Sequence, residues 1–330
     1  MNRSRIIDNA IELPVVTSFS RFGYETRRRL GGWEPLDGYD LHGRVIVVTG
    51  ATSGLGRAAA EQLARCGATL VLVGRDSERT AETARALTSV TGNDRVSHRA
   101  ADMGELDQVR NLADHILTMH ERLDVVIHNA GALTATRRVA SDGTEATVAS
   151  QVVGPFLLTS LLLDRLEASA PSRVITMSSG GMYAAALQVD ELEMGDDTYR
   201  GTEQYARAKR AQVVLNELWA QRCGARGIHF HSLHPGWAST PGVDAALPRF
   251  ATVMGPILRT PEQGADTLVW LAADDGEPLE TNGGFWLDRR RRPIHRLVGT
   301  RRSDTPDRRN RLWNLVATLA DCQDPGTDST

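Results

Sequence analysis

The sequence is poor in cysteine: Cys66, Cys223 and Cys322 are the three among 330 residues. Their scattered positions form neither a disulfide framework nor a metal-ligand spacing, which indicates a reducing, cytoplasmic environment. The N-terminus lacks the basic, apolar and small-residue segments of a secretory signal. No uninterrupted apolar run approaches about 18 residues, so we predict no transmembrane span. The formal net charge of −3 excludes a general electrostatic attraction to nucleic acids or anionic lipids.

Positive charge is nevertheless concentrated near the C-terminus, in a run of arginines. These stand at positions 289–292, 296, 301, 302, 308, 309 and 311. Because no aromatic residues interleave them, we interpret residues 291–330 as a basic C-terminal extension with a solvated or partner-facing surface, and we predict no nucleic-acid partner. The histidines His229, His231 and His234 come without a carboxylate cluster, so we assign no metal.

Apolar residues recur with a helical period in an N-terminal extension, residues 1–40. Ile7, Ile11, Val15, Phe19 and Phe22 are spaced by four, four, four and three residues, which predicts an amphipathic helix interrupted near position 14, a proline. Such an extension either packs against the following domain or lies on a membrane surface, since arginines at 27–29 suit lipid headgroups. Glycines at 31 and 32 and a proline at 35 then indicate a linker.

The first predicted strand, residues 44–49, is a continuous apolar run of the kind buried on both faces of a sheet. It leads directly into a glycine-containing turn, and residues 57–65 follow with a helical pattern. The turn consists of Gly50, Ala51, Thr52, Ser53, Gly54, Leu55 and Gly56. Glycines between a buried strand and a helix allow a tight bend and let a pyrophosphate approach the amides of the helix N-terminus. The turn therefore predicts a dinucleotide site.

A second predicted strand, residues 69–73, ends at Gly74, Arg75 and Asp76. In dinucleotide folds the residue after this strand contacts the adenosine ribose, and an arginine there suits a 2′-phosphate. Arg75 therefore favours NADP(H) over NAD(H). The alternative is that Asp76 contacts a free 2′-hydroxyl and Arg75 points to water.

Strand and helical patterns alternate through the rest of the chain up to about residue 290. Further strands are predicted at 96–101, 124–127, 173–177, 228–233 and 284–287, and helices at 105–120, 142–167, 204–223 and 261–273. This alternation predicts right-handed βαβ units, and hence an α/β, Rossmann-type, doubly wound and mostly parallel sheet of about seven strands in one domain, residues 41–290. Ligands bind such sheets beyond the carboxyl ends of the strands.

A tyrosine and a lysine, Tyr205 and Lys209, lie one helical turn apart in the predicted helix 204–223, so their side chains leave the same face. A cation beside a phenol favours the phenolate and lowers the pKa of the phenol from about 10. Such a pair also arises by chance on solvated helices. In a dinucleotide fold it predicts that Tyr205 acts as a general acid or base whose pKa Lys209 lowers.

Together these motifs resemble the short-chain dehydrogenase/reductase family over about residues 42–290. The resemblance rests on Thr49-Gly50-x3-Gly54-x-Gly56, Asp102, Asn129-Ala130-Gly131, Ser179, Tyr205-x3-Lys209 and Pro235-Gly236-x3-Thr240. Longer stretches at 178–182, 205–213, 234–243 and 263–271 are similar to the branch that contains SDR family member 12, near the retinol-dehydrogenase-like reductases.

The resemblance implies a role for each matching residue. Tyr205 would exchange a proton with the substrate oxygen, Lys209 would hold the nicotinamide ribose, and Ser179 would hydrogen-bond the same substrate oxygen. Cofactor contacts are implied for Thr52, Ser53, Leu55 and the three glycines of the turn, for Arg75, Asp102, Met103, Asn129, Ala130 and Gly131, and for Pro235, Gly236, Trp237 and Thr240. The cofactor would carry out the hydride chemistry, while the protein orients it and supplies the proton.

One catalytic position departs from the family pattern. The family's asparagine, which helps to order a water chain to the lysine, is matched here by Gln151. Glutamine keeps the amide but adds a methylene, so the water relay is either disturbed or re-routed. Both outcomes stay open at this point.

The segment at about 240–260 is predicted to be an apolar substrate lid. Val243 and Leu247 within it, together with Met182 and Tyr183, are candidate substrate contacts, which favours a lipophilic aldehyde, ketone or alcohol. Packing of the lid onto the domain is the alternative. The predicted activity is that of an NADP-dependent oxidoreductase acting on CH–OH donors, a carbonyl reductase. A peripheral membrane contact and a homo-oligomer are both compatible with the sequence.

Two other functional classes share parts of this pattern. Sugar-nucleotide epimerases and dehydratases have Tyr-x3-Lys, but usually with a Gly-x2-Gly-x2-Gly spacing that this chain lacks. A non-catalytic NADP(H)-binding sensor is supported by Gln151. The intact Ser179, Tyr205 and Lys209 speak against a sensor, because sensors commonly lose the proton donor.

Overall fold

The computed structural model describes residues 3–12 and 14–323, without the side chains of residues 3–6, 243 and 245. Its strands are β1 (Val45–Thr49), β2 (Thr69–Gly74), β3 (Val96–Ala100), β4 (Val125–His128), β5 (Ser172–Met177), β6 (Ile228–Leu233), β7 (Gly284–Leu287) and β8 (Arg290–Arg291). They form one sheet in the order β3-β2-β1-β4-β5-β6-β7-β8. Strands β1 to β7 are parallel to one another, which confirms the predicted doubly wound sheet. The two-residue β8, which pairs antiparallel with β7, was not among the predicted strands.

Helices cover both faces of the sheet. In chain order they are α1 (Arg3–Glu12), α2 (Val15–Phe19), α3 (Arg21–Gly31), α4 (Gly54–Arg65), α5 (Ser77–Thr91), α6 (Leu106–Met119), α7 (Ala146–Val148), α8 (Gly154–Ala168), α9 (Gly201–Cys223), α10 (Pro241–Ala246), α11 (Pro248–Met254), α12 (Pro261–Ala273), α13 (Glu277–Glu280), α14 (Val298–Ser303) and α15 (Pro306–Leu319). A π-helical turn, Ala149–Val153, joins α7 to α8.

Side-chain caps fix where several of these helices begin. The carboxylate of Asp76 accepts a hydrogen bond from the Arg79 amide (2.9 Å) and caps α5. Thr260 and Gln263 form a reciprocal capping box at the start of α12, with Pro261 at its first position. By contrast, the side chain of Ser53 makes no capping hydrogen bond at the start of α4. The amides at that helix end are therefore left to other acceptors.

The core lies on both sides of the sheet and includes an unusually apolar helix. The stretch Ala146–Ala168 is apolar and long enough to cross a membrane, but most of its residues are buried inside the protein. Phe156, Leu157 and Leu162 of α8 belong to the core cluster on one face. The covered part of this stretch matches a core helix, whereas Asp164 and Glu167 near its end are exposed.

The N-terminal helices pack against the domain. The predicted interruption near position 14 falls between α1 and α2. Phe19 and Tyr24 are buried, and the Tyr24 hydroxyl donates to the carboxylate of Asp266 in α12 (3.3 Å). Gln263 donates to Glu25 across the same boundary (2.9 Å). The extension therefore has a docked position, although Phe22 stays 61% exposed.

The arginine-rich segment is folded and largely paired. Arg289 contacts Asp266 (2.8 Å), Arg292 contacts Asp8 (2.8 Å), and Arg309 contacts Asp304 (2.5 Å). The interpretation as a solvated or partner-facing surface is therefore wrong for these arginines. The prediction failed because it counted the arginines alone, whereas Asp8 and Asp266 lie far away in the sequence and Asp304 lies within the segment itself.

The last helix, α15, completes the core. The ring of Trp313 lies 4.7 Å from that of Trp219 and 4.9 Å from that of Phe156, and Trp313 is fully buried. Aromatic rings at these separations and steep angles attract one another beyond the effect of burial. Residues 306–319 thus belong to the folded unit.

Replacing Trp313 by alanine is expected to destabilise the protein by about 3–5 kcal/mol, because the change removes a buried indole and leaves a cavity. The measurement is chemical denaturation followed by circular dichroism. The adjacent Asn314→Ala, at an exposed position of the same helix, should change the free energy of unfolding by less than about 0.5 kcal/mol. Equal effects of both changes would contradict the packing described for α15.

Candidate active site

The glycine turn after β1 is built against the end of β4. The Thr49 hydroxyl accepts hydrogen bonds from the amides of Asn129 and Ala130 (both 3.0 Å), and the Asn129 side chain donates to the carbonyls of Thr49 and Gly50 (3.1 and 3.2 Å). A Cβ at Gly56 would lie 2.3 Å from the Gly50 carbonyl oxygen. Asn129 therefore braces the turn, and the turn leaves no room for a side chain at Gly56.

The turn forms a cradle at the N-terminus of α4. Gly50 and Gly54 have φ of 66° and 52°, which favour glycine. Thr52 lies against Gly74 at the end of β2, and Leu55 against Gly264 of α12. With the Ser53 side chain making no cap, the helix N-terminus presents amides to an anion, and the bare backbone allows close approach. These features fit a dinucleotide pyrophosphate.

The adenosine side of the cradle contains Arg75 and Asp102. Arg75 is exposed, whereas the neighbouring Asp76 already uses a carboxylate oxygen to cap α5. Asp102 accepts a hydrogen bond from the Gly104 amide (2.9 Å) and so shapes its own loop. Met103 is buried, and its carbonyl lies so close to Gly154 that a Cβ there would be 1.8 Å from the oxygen.

Ser179, Tyr205 and Lys209 meet at the carboxyl end of β5. Ser179 follows that strand, and its hydroxyl accepts from the Gly181 amide (3.2 Å) and lies close enough to the Tyr205 hydroxyl to affect its pKa. Lys209 lies with its Nζ 5.3 Å from the centre of the Tyr205 ring and donates to the Met177 carbonyl (2.8 Å). It is the single lysine of the sequence, where arginine supplies every other basic side chain apart from histidine. Because the sequence has no other lysine, this residue stands out as a candidate functional residue even without the family resemblance.

The predicted lowering of the tyrosine pKa is not found. Burial raises the pKa of Tyr205 to about 12, and the nearby Ser179 hydroxyl offsets only part of that rise. Burial also lowers the pKa of Lys209 to about 7. The one-turn spacing correctly places the ammonium beside the phenol. However, it does not reveal that burial shifts the pKa of both groups, which weakens the charge expected to act on Tyr205.

Gln151 lies in the π-helical turn and is fully buried. Its side-chain nitrogen donates to the Ala132 carbonyl (2.8 Å), while its main-chain carbonyl accepts from the Gln212 side chain (2.6 Å). A Cβ at Gly131 would lie 2.9 Å from the Gln151 amide. The longer glutamine side chain thus places its amide group against Gly131. Its Oε1 has no protein hydrogen-bond partner within the described part of the chain.

The turn from Pro235 to Thr240 closes the other side of the site. The Gly236 amide donates to Nδ1 of His234 (2.9 Å), and burial lowers the pKa of His234 to about 3, so this imidazole is neutral. Thr240 reaches the glycine turn: a Cβ on Gly54 would lie 3.2 Å from the Thr240 Cβ. The ring of Trp237 lies 5.3 Å from that of Phe250 in α11.

The candidate substrate residues lie partly in the core and partly in the segment at about 240–260. Met182 is fully buried in a cluster with Phe19 and Phe285. Tyr183 is also buried, and its hydroxyl donates to the Pro293 carbonyl (3.0 Å). Both therefore pack against the docked extension rather than on an open surface. Leu247 is partly exposed beside α11, and the side chain of Val243 lies outside the described residues.

Sequence reasoning assigned no site role to three residues that hold this end of the sheet, Phe19, Arg259 and Asp288. The guanidinium of Arg259 forms an ion pair with Asp288 (2.5 Å) and donates to the carbonyl of Phe19 (2.9 Å). Local patterns carry no signal for these contacts, because each joins segments far apart in the chain.

Comparison with known proteins agrees with this geometry. A family model described as short chain dehydrogenase matches residues 44–248. The chain belongs to the short-chain dehydrogenase/reductase family. Human dehydrogenase/reductase SDR family member 12 is 36% identical over 303 residues, which cover 92% of this chain and 94% of the relative, so the chain falls in that branch.

More distant family members agree. Human retinol dehydrogenase 13 is 31% identical over 294 residues, covering 86% of this chain and 87% of the relative. Among solved structures, the Pseudomonas aeruginosa RhlG complex with NADP has a TM-score of 0.63 at 25% identity, covering 77% of this chain and 96% of that chain.

The depressed pKa of Lys209 has a consequence for stability. The unfolded chain binds a proton at this lysine up to a pKa of about 10.4, whereas the folded protein releases it above about 7. Between these values the unfolded state holds more protons, so the contribution of this group to stability rises with pH. Lys209→Met is expected to remove that contribution, which denaturation of both proteins at pH 7 and pH 9.5 will measure.

The singularity of Lys209 provides a direct control. Protein labelled with carbon-13 at the lysine side chain should show one side-chain ε resonance, titrating near pH 7 when folded and near about 10.4 in denaturant. A folded-state midpoint above 10 would contradict the assigned burial effect.

Proposed function

We propose that the protein is an NADP(H)-dependent oxidoreductase that interconverts an aldehyde or ketone with its alcohol. Membership of the dehydrogenase/reductase family supports the oxidoreductase class. The observation that carries the finer proposal is the contact of Ser179 with Tyr205 at the end of β5, with Lys209 beside the phenol ring. Two hydroxyls so placed can hold one substrate oxygen between them.

Each residue has a defined task in this mechanism. Tyr205 keeps its proton at neutral pH and donates it to the carbonyl oxygen as the alcohol forms. Ser179 orients that oxygen through its hydroxyl. Lys209 presents N–H donors beneath the phenol. The hydroxyls of a bound ribose would hydrogen-bond the Lys209 ammonium and so favour the charged form of this lysine.

The cofactor assignment rests on the cradle. When bound, NADP(H) supplies the hydride. The turn from Gly50 to Gly56 would hold its pyrophosphate, Arg75 its 2′-phosphate, and the turn from Pro235 to Thr240 would cover its nicotinamide. NADP in the related RhlG complex and the capping use of Asp76 support NADP(H) over NAD(H).

A lipophilic substrate is proposed because the lid is apolar. Val253 of α11 is 76% exposed, and Phe250 on the same helix packs on Trp237. The name of one relative, retinol dehydrogenase 13, also refers to a lipophilic alcohol, retinol. We further propose residence in the cytoplasm, on the basis of the three scattered cysteines.

Tyr205→Phe is expected to lower kcat by about 100-fold or more in reduction of a hydrophobic carbonyl panel with NADPH, because the proton donor is lost. Affinity for NADPH, measured by titration calorimetry, should change little. Tyr39→Phe, whose hydroxyl contacts Asp274 (2.8 Å), is the matched control and should retain turnover. The sensor alternative predicts NADPH binding without turnover in the unaltered protein, and the enzyme proposal fails on that result.

Arg75→Ala is expected to weaken NADPH binding about tenfold while leaving NADH binding unchanged, since a charge-assisted contact with the 2′-phosphate is removed. Exposed Arg85 on α5 offers a control of equal charge, and Arg85→Ala should leave both affinities unchanged. A tenfold preference of the unaltered protein for NADH would contradict the arginine assignment.

A further inference from the structure

The N-terminal extension is bonded to the turn that we propose covers the nicotinamide. The Trp237 amide donates to the carbonyl of Phe19 (2.8 Å), so α2 ends on the main chain of this turn. The Arg259 guanidinium donates to the same Phe19 carbonyl (2.9 Å) and to the Pro235 carbonyl (3.1 Å). One buried side chain thus ties the extension to the turn at two points.

Arg259 is 1% exposed and also reaches three further groups, one of which is the Ser20 carbonyl (3.3 Å). It donates to the Ser18 carbonyl (3.0 Å) and, through two nitrogens, to both carboxylate oxygens of Asp288 (2.5 and 2.9 Å). Its guanidinium lies on the backbone of Gly236, where a Cβ would be 2.2 Å from the arginine Nε. The fork geometry of arginine allows all these bonds at once, which a lysine ammonium cannot reproduce.

The Phe19 ring fills the gap between the turn and the catalytic serine loop. Its centre lies 4.1 Å from the His234 ring and 5.8 Å from the Trp237 ring. On the other side, a Cβ at Gly180, the residue after Ser179, would lie 2.8 Å from the Phe19 ring. Phe19 is 3% exposed, so it acts as a spacer that sets the separation of the two loops.

We propose that Phe19 and Arg259 are positioning residues that fix the nicotinamide-covering turn relative to Ser179 and Tyr205. The inference rests on the proposed cofactor and mechanism. None of the contacts that carry it involves Arg75 or the glycine turn. The extension therefore governs the nicotinamide half of the cofactor and leaves the adenosine half to the rest of the domain.

The test compares Phe19→Ala with Phe22→Ala, a residue of the same extension that is 61% exposed. Phe19→Ala is expected to lower kcat about tenfold or more, because small displacements of reacting groups are costly. It should raise the deuterium isotope effect obtained with 4-deuterated NADPH. Affinity for adenosine 2′,5′-bisphosphate, the adenosine half of the cofactor, should stay within about twofold. Phe22→Ala should match the unaltered protein in all three.

A second readout does not require turnover. Fluorescence of bound NADPH reports the surroundings of its nicotinamide, and in Phe19→Ala it should shift towards that of free NADPH at saturating protein. If the unaltered protein shows no turnover but Phe19→Ala still changes this emission, the positioning role stands and the enzymatic proposal fails. Unchanged kcat and emission in Phe19→Ala would overturn the positioning role.

Arg259→Lys keeps a positive charge beside Asp288 and guards against a variant that does not fold. It should reproduce the emission change and the loss of kcat while retaining affinity for the adenosine bisphosphate. If either variant instead loses that affinity in proportion to kcat, the residues act through general stability and the proposal is wrong.

Discussion

The arrangement of the carboxyl end of the sheet, where the candidate site lies, depends on one buried carboxylate, that of Asp288. It accepts hydrogen bonds from Arg27 of the N-terminal extension (2.6 Å) and from Arg259 (2.5 Å), and all three side chains are 1% exposed. Burial alone would raise the pKa of Asp288, but the two guanidinium groups hold it below the ordinary range. Removing one partner of such a pair leaves an uncompensated charge at a cost of about 3–5 kcal/mol. The extension is therefore held to the end of β7 by charge as well as by packing.

Those parts of the structure that depend on neighbouring residues could be predicted from the sequence. A run of buried residues followed by Gly50 and Gly54 specifies strand, turn and helix within a few residues, since each step follows from local backbone preferences. The same holds for the one-turn spacing of Tyr205 and Lys209. Parallel strands bring their carboxyl ends to one edge, so the order of motifs along the chain was enough to place Ser179 near them.

Contacts between distant segments, and the effects of burial on charge, could not be predicted in this way. Arg27 and Asp288 are 261 residues apart, and nothing local marks either as a partner of the other. The turn at Asp288 and Arg289 has φ of 55° and 51°, values uncommon for residues other than glycine, so tertiary contacts impose them. The arginine run illustrates the same limit, because a local count of charge carries no information about carboxylates supplied by α1.

The electrostatics of Tyr205 bear on the direction of the proposed reaction. With a pKa of about 12, the phenol keeps its proton near neutral pH, and carbonyl reduction needs that donor. Oxidation would first require Tyr205 to lose the proton, and each unit by which the pKa exceeds the ambient pH opposes that loss by about 1.4 kcal/mol. The protonated phenol therefore suits the reductive direction of the proposed reaction, and its raised pKa follows from burial, which the four-residue spacing to Lys209 does not reveal.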